Sequence, residues 1–192
     1  VEAALQGLSN GAKGYLLTEW GDAGHRQQYP ITLYALAEAS QTAWSACQAA
    51  INGKAISFQL FGDRQEMIIA DWMARLGNLD VEIRQTSMRK KDNGQVVPLI
   101  NATCLFMEME SAFDSDRLNG TLNEWSRVAV EHTNLSNEFS PLNNEKLNDE
   151  FLHILKVSEF AIKKAILRRV PKSKQQRGLD NLVTKMKKIN DE

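Results

Sequence analysis

Apolar side chains recur at helical spacing over most of the chain. One stripe begins after Asp63 and Glu66, which form a candidate capping box, and it stops at Gly77. The longest stripe ends at Val170-Pro171, where the proline prevents the helix from continuing. These spacings predict four or more helices, which we assign to a helical domain over 54–170. The best-defined stripe residues are Ile68, Ile69, Trp72, Met73, Leu76, Leu118, Leu122, Trp125, Ala129, His132, Leu135, Phe151, Ile154, Leu155, Ile162 and Ile166.

The first fifty residues have a different pattern. A short apolar stretch over 12–17 comes after the turn-forming residues 9–11, which is typical of a buried strand. A glycine-containing loop then leads to Pro30, where a helical stripe begins that should end near Gly53. Strand, loop and helix in this order form the repeating unit of α/β folds, and one unit cannot cover both faces of a sheet. We therefore expect the strand to join a sheet built from other residues. The stripe of this helix consists of Leu33, Leu36, Ala37, Ala43, Trp44 and Cys47.

The remaining segments carry weaker signals. The charged stretch 88–94 contains an Asn-Gly turn signal and precedes Pro98, which predicts an exposed loop. A further helix is expected near 99–112, and no other strand is expected. The segment 171–192 is amphipathic and basic, and we treat it as a separate tail.

Composition narrows the functional classes only slightly. The chain has 192 residues, 43% of them hydrophobic, and a formal net charge of −1, so a globular core is expected and a strong field toward nucleic acid or membranes is not. No apolar run approaches the roughly 20 residues of a membrane span. Cys47 and Cys104 are expected to be small buried hydrophobes, although a disulfide stays open. The localisation also stays open, with the cytoplasm slightly favoured.

The segment around Trp20 is where the sequence suggests chemistry. If the strand continued through Trp20, alternation would place this indole and Asp22 on one face. A sugar ring packs its apolar face on an indole and donates hydroxyl hydrogen bonds to a carboxylate. The alternative interpretations are a core indole at Trp20 and a turn-capping carboxylate at Asp22.

The same segment resembles a known family. The residues from Gly14 to His25, Gly-Tyr-Leu-Leu-Thr-Glu-Trp-Gly-Asp-Ala-Gly-His, followed by Pro30 and a helix ending in Ala43-Trp44, look like the last barrel unit of family 20 glycoside hydrolases. The stretch 58–79 and the Asn-Ala-Thr at 101–103 are similar to the region after the barrel in bacterial hexosaminidase-like members. The resemblance covers residues 10 to 110 and does not extend into the helical tail.

This resemblance implies a fold and a set of binding residues. The fold would be an α/β fragment, with residues 1–53 as the last β/α unit of a TIM barrel, followed by a mainly helical domain. Trp20 would wall the subsite for a terminal N-acetylhexosamine, Asp22 would bind the outer hydroxyls of the sugar, and His25 would lie at the rim. Many members have Glu where this chain has Asp22, a shorter reach that leaves the preferred epimer open.

The resemblance also implies a reaction that this chain cannot perform alone. In the family the 2-acetamido carbonyl of the substrate attacks the anomeric carbon, an Asp orients the amide and the adjacent Glu protonates the leaving oxygen. No segment of this chain resembles that Asp-Glu pair, so no catalytic residue is assigned and the isolated chain is expected to be inactive. A whole barrel needs about 250 residues, and the rest of it would be the partner of this segment. Neither a cofactor nor a metal is expected.

Two rival classes remain. The chain could be a non-enzymatic helical module for interaction or homo-oligomer formation, in which the first fifty residues pack against the helices. The second rival is a nucleic-acid-binding tail, since residues 151–192 hold 11 Lys or Arg against 4 Asp or Glu. No aromatic platform is interleaved with these charges, so we interpret Arg168, Arg169 and the neighbouring lysines as a solvated helix face. His132 and His153 are expected to be packed or half-exposed histidines, and the Asn101 sequon a buried helix start.

Overall fold

The computed structural model is mostly helical. It describes residues 2–18, 28–45, 52–64, 67–90, 93–98, 104–116 and 118–190. The helices are α1 (Glu2–Ser9), α2 (Tyr29–Ser45), α3 (Gly53–Phe61), α4 (Ile69–Gly77), α5 (Val81–Thr86), α6 (Cys104–Glu110), α7 (Leu122–Glu138), α8 (Glu145–Arg169) and α9 (Lys172–Asn190). The two short strands are β1 (Met88–Lys90) and β2 (Val96–Pro98).

The predicted α/β fragment, the last unit of a TIM barrel, is wrong as the fold of this chain. Helices make up most of the described residues, and the predicted strand over 12–17 forms neither a strand nor a helix. The physical reason lies in pairing: a strand needs neighbours to take its backbone hydrogen bonds, and the described residues place none beside this segment. The short helix α1, which precedes it, is also absent from the prediction.

Local capping signals explain where several predicted helices begin. The helices expected after Pro30, after Asp63 and up to Pro171 are confirmed as α2, α4 and α8. The end of the first helix, expected near Gly53, is not confirmed, because Gly53 is the first residue of α3. Asp63 caps α4 by accepting hydrogen bonds from the backbone N–H groups of Ile68 and Ile69, at 2.8 and 3.2 Å. The N–H groups that Asp63 caps thus lie later in the chain than Glu66, the partner in the predicted capping box.

A small hairpin replaces the loop expected over 88–94. Strands β1 and β2 pair antiparallel, with Arg89 opposite Val97. Gly94 has a φ of 82°, which matches the Asn-Gly turn signal but places it between strands. The prediction that no strand comes after residue 54 is therefore wrong by one short hairpin.

The chain divides into two compact units. Unit 1 comprises Val1–Ala74 and Ser140–Ile154. Its core is aromatic: the ring of Phe151 lies 5.7 Å from both the Phe61 and the Trp72 rings, in edge-to-face arrangements. All three side chains are buried, and they anchor α3, α4 and the first part of α8.

Unit 2 comprises Arg75–Phe139 and Leu155–Glu192. Its core is a cluster that brings α5, α6, α7 and α8 together, with Trp125 and Cys104 completely buried. The indole nitrogen of Trp125 donates a 2.8 Å hydrogen bond to the carbonyl of Asn119, so its polar group is satisfied inside the core. The other members of the cluster are Ile83, Val128, Ile162 and Ala165. The predicted domain boundaries after residues 53 and 170 remain a prediction.

Candidate functional site

The three predicted sugar-binding residues, Trp20, Asp22 and His25, lie outside the described residues. The structure describes their flanks instead, up to Thr18 on one side and from Gln28 on the other.

The segment before the motif, residues 14–18, is largely apolar and exposed. Residues 14–18 have no regular secondary structure, and the side chain of Leu16 is 85% exposed. Tyr15 and Leu17 are exposed as well. Three consecutive large apolar side chains in solvent are unusual for a segment with no binding role, because soluble proteins seldom expose contiguous apolar surface. The residues that lead into the Trp20 motif thus present a surface that can be covered.

Helix α2 follows the motif in sequence. Pro30 is buried at its first turn, where the missing N–H costs no hydrogen bond. The Tyr34 hydroxyl donates to the Glu38 carboxylate, and burial together with this neighbour raises the pKa of Tyr34 well above its usual range. The predicted apolar stripe includes Trp44, yet this side chain is 94% exposed. Helix α2 therefore buries few of its large apolar side chains.

A cluster of buried charges lies in unit 2, and no pattern in the sequence indicates it. The carboxylate of Glu108 accepts hydrogen bonds from Arg168 at 2.5 Å and from Arg169 at 2.7 Å, and all three side chains are nearly inaccessible to solvent. The interpretation of Arg168 and Arg169 as a solvated face is wrong. Both carboxylate oxygens are engaged by guanidinium groups, so Glu108 is not placed to act as a general base.

Backbone carbonyls of the 111–120 loop complete this cluster. Arg168 donates to the Ser115 carbonyl at 2.8 Å, and Arg169 donates to the Gly120 carbonyl at 2.9 Å and lies 5.3 Å from the centre of the Trp125 ring. Lys164 donates to the carbonyls of Met109 and Ser111. The end of α8 thus holds the end of α6 and the described residues of the loop that follows it, which is a structural role.

The buried thiol and the buried carboxylate beside it are poorly suited to chemistry. Burial raises the pKa of Cys104 to about 11, so the thiolate needed for nucleophilic attack is scarce near neutral pH. Burial also raises the pKa of Asp80, whose carboxylate accepts a 3.0 Å hydrogen bond from the Leu105 N–H and so caps α6. Cys104 is a free thiol, and it behaves as the small buried hydrophobe that the sequence predicts.

The predicted packed histidine at 132 is confirmed. Its Nε2 lies 3.1 Å from the Leu155 carbonyl oxygen, which can only accept, so the proton of the neutral ring is on Nε2. Burial lowers the pKa of His132, and this places the ring in its neutral form at pH 7. His153 is half-buried on α8.

Other classes of site find no support in the described part of the chain. It holds no group of three or more His, Cys, Asp or Glu side chains arranged to bind a metal ion. None of the described helices is both long and apolar enough to cross a membrane. Comparison of the chain with protein-family models, with curated proteins and with solved structures found no match.

Proposed function

We propose that this chain is part of a glycoside hydrolase that removes terminal N-acetylhexosamine residues by a substrate-assisted, retaining mechanism. The observation that carries the proposal is the run Trp20-Gly21-Asp22-Ala23-Gly24-His25, preceded by the apolar segment 14–17 and followed by the helix that starts at Tyr29. The chain supplies sugar-binding residues, and the catalytic Asp-Glu pair comes from polypeptide outside residues 1–192.

Each assigned residue has a distinct physical role. The Trp20 indole packs against the apolar face of the sugar and excludes water from it. The Asp22 carboxylate accepts hydrogen bonds from the outer hydroxyls, which are stronger for a charged acceptor than for a neutral one. His25 contacts the rim of the subsite. The acetamido oxygen of the substrate attacks the anomeric carbon while the leaving oxygen takes a proton from the acid, and water later opens the cyclic intermediate.

The burial pattern around this motif supports the proposal. Within residues 2–18 and 28–45 the buried side chains are Pro30, Thr32 and Thr42, so this part of the chain contributes almost no large apolar group to a core. Large apolar side chains there stay in solvent, among them Leu16 and Trp44. A segment with this composition gains free energy when further polypeptide covers it. The remainder of the enzyme would provide that cover.

The test is a kinetic assay of the complete product of the gene with an aryl N-acetyl-β-glucosaminide and the matching galactosaminide. Trp20→Ala is expected to lower kcat/KM by roughly 10- to 100-fold, which corresponds to about 1.4–2.8 kcal/mol of lost transition-state binding. Asp22→Asn removes a charge-assisted acceptor and should cost about the same. Trp44→Ala is the matched control, since this exposed indole is not assigned to the sugar subsite and its loss should lower kcat/KM much less than Trp20→Ala does.

Three results would overturn the proposal. The first is a complete gene product that hydrolyses neither aryl substrate. The second is an enzyme on which Trp20→Ala acts no more strongly than Trp44→Ala. The third is full activity of the 192-residue chain on its own, because the chain is assigned no catalytic acid.

The second candidate function is a non-enzymatic helical interaction module. It is favoured by unit 2, whose core is closed by a buried and fully paired Glu108 and by the buried Trp125. The described residues of this core include none from the sugar-binding segment. A gene product that is inert toward both aryl substrates would make this module the better account.

A further inference from the structure

An asparagine is followed by a glycine at four places in the chain, at Asn10, Asn52, Asn93 and Asn119. In this dipeptide the backbone nitrogen of the glycine can attack the side-chain amide of the asparagine, because glycine has no Cβ to hinder the approach. The attack is intramolecular, so its rate depends on whether the folded chain lets the two groups meet. The structure places the four asparagines in four different surroundings.

Asn93 lies in the turn that joins β1 to β2. Asn93, Gly94 and Gln95 are all exposed. The side-chain amide oxygen of Asn93 accepts a 3.0 Å hydrogen bond from the Gln95 N–H, which folds the side chain over the Gly94 peptide. Gly94 has a φ of 82°, a conformation that a residue with a Cβ rarely adopts. The turn thus holds the amide of Asn93 near the glycine nitrogen, in full contact with water.

Asn52 and Asn119 are held away from this reaction. The side chain of Asn52 caps α3 by accepting a 3.0 Å hydrogen bond from the Ala55 N–H, and the attacking nitrogen belongs to Gly53, the first residue of that helix. Attack by this nitrogen would break the cap. Asn119 is buried, and Gly120 after it is so close to Ile83 that an added Cβ would lie 2.8 Å from that side chain. Neither water nor a new ring has room there.

Asn10 is exposed, but its side chain is directed back along α1. Its side-chain NH₂ group donates a 2.8 Å hydrogen bond to the Gln6 carbonyl. The N–H of Gly11 donates to the Leu8 carbonyl at 3.0 Å. Both hydrogen bonds must break before the glycine nitrogen can reach the amide carbon, so Asn10 should react more slowly than Asn93.

We propose that Asn93 is a site of spontaneous covalent modification, where the side-chain amide is converted to a carboxylate through a cyclic imide. Hydroxide takes the proton of the Gly94 N–H, and the nitrogen forms a bond to Cγ of Asn93. The bond from Cγ to Nδ2 then breaks, and Nδ2 takes a proton from water and leaves as ammonia, which restores the hydroxide. The Gln95 N–H favours this step, since it donates to the oxygen on which negative charge develops.

Hydrolysis of the imide completes the modification. Water adds to one of the two ring carbonyls and breaks the bond from that carbonyl carbon to the ring nitrogen. The product at position 93 is aspartate or isoaspartate, according to which carbonyl reacts. Either product adds a negative charge to the turn.

The isoaspartate product also changes the hairpin. Its main chain runs through the former side chain, so the turn gains an extra backbone carbon. Strands β1 and β2 have three residues each, with Lys90 opposite Val96 nearest the turn, and the geometry of the turn sets this register. We expect the modified hairpin to open. The modification is independent of the glycosidase proposal, because the turn lies outside the sugar-binding segment.

The test incubates the folded 192-residue chain at physiological temperature and mildly alkaline pH. Peptide mass spectrometry follows the conversion of amide to acid at each of the four asparagines. Asn93 should convert about tenfold faster or more than each of the other three, a ratio that corresponds to about 1.4 kcal/mol in activation free energy. In the chain unfolded by urea the four rates should become similar, because glycine follows every one of these asparagines.

Asn93→Gln is the matched variant, since its longer side chain would have to close a larger ring and position 93 should stay unmodified. Tryptic cleavage after Arg89 and Lys90 should be faster in the incubated wild type than in incubated Asn93→Gln. A folded chain in which another of the four asparagines converts as fast as Asn93 overturns the proposal. So does a ratio of rates that is the same in the folded and the unfolded chain. Equal cleavage of the converted wild type and Asn93→Gln would overturn the opening of the hairpin.

Discussion

Glu108 pairs with two buried arginines inside unit 2. Its carboxylate neutralises one of two adjacent buried guanidinium groups and bonds to both. Glu108→Gln removes the charge while keeping the shape, so two cationic groups are left in a site with little access to water. We expect a loss of about 3–5 kcal/mol in the free energy of unfolding, the usual cost of breaking a buried ion pair. Urea denaturation followed by circular dichroism measures this loss.

Glu82→Gln is the matched control for that substitution. Glu82 pairs with Arg127 at 3.2 Å, but both side chains are about two-thirds or more exposed, at 72% and 67%. Exposed pairs of this kind contribute about 0–1 kcal/mol, so the control variant should unfold close to the wild type. Equal losses for the two variants would contradict the role given to Glu108.

His132 makes the stability of unit 2 depend on pH. Burial lowers its pKa, with Lys185 and Lys163 acting in the same direction, while the Leu155 carbonyl and Glu159 oppose the shift. The unfolded chain therefore binds a proton at a higher pH than the folded chain, and the free energy of unfolding falls as the pH drops below about 6.5, the ordinary value for histidine. The loss continues until the pH passes the lower folded-state pKa.

The variant His132→Gln tests this dependence. Between about pH 7 and pH 5 its unfolding free energy should change less than that of the wild type, because it cannot take up the proton. Parallel pH profiles for the wild type and His132→Gln would contradict the assignment.

At the scale of elements, the turn before α7 depends on a glycine. Gly120 has a φ of 75°, and an added Cβ would lie 2.8 Å from Cγ2 of the buried Ile83 on α5. Gly120→Ala therefore combines backbone strain with overpacking, and we expect a loss of roughly 2–4 kcal/mol in the free energy of unfolding.

Gly62, with a φ of 67° and nothing within 4 Å of an added Cβ, is the control. Gly62→Ala should cost only about 1 kcal/mol, from strain alone. Similar losses for the two variants in chemical denaturation would show that Ile83 does not confine this turn.

The helices were predictable because their signals are local. Helical spacing, Pro30 and Pro171 mark α2 and α8 correctly, and Asp63 caps the helix that the sequence assigned to it. The hairpin β1–β2 was missed because its strands are three residues each, too short to show alternation. Pairing decides whether a strand forms, and pairing is not visible in the segment itself, so the strand over 12–17 was predicted wrongly.

The candidate site residues differ in the same way: some have local signals in the sequence, and others depend on tertiary contacts. A free, buried Cys104 is expected from the apolar character of its neighbours. The burial of Arg168 and Arg169 is not, because their partner Glu108 lies 60 residues away from the first of them in sequence. A basic pair at a helix end most often faces solvent, and only the tertiary contact reverses that expectation. The sugar-binding residues Trp20, Asp22 and His25 are outside the described residues and stay a prediction from their motif.

For the molecule as a whole, the two units differ in how much of their apolar surface they bury. Unit 2 closes its core around Trp125 and pairs its buried charges, while the described residues before position 46 in unit 1 bury little and expose much. The glycoside hydrolase that we propose would place this N-terminal segment against further polypeptide, and that cover would account for the difference. The local surplus of positive charge in residues 151–192 is partly used inside unit 2, where Arg168 and Arg169 bind Glu108.

The proposed enzyme uses the acetamido group of its own substrate as the nucleophile. The most direct measurement compares hydrolysis of an aryl N-acetyl-β-glucosaminide with hydrolysis of the corresponding aryl β-glucoside by the complete gene product. We predict turnover of the first and none of the second above background, because the glucoside lacks the internal nucleophile. Comparable rates on the two substrates, or no hydrolysis of either, would contradict this mechanism.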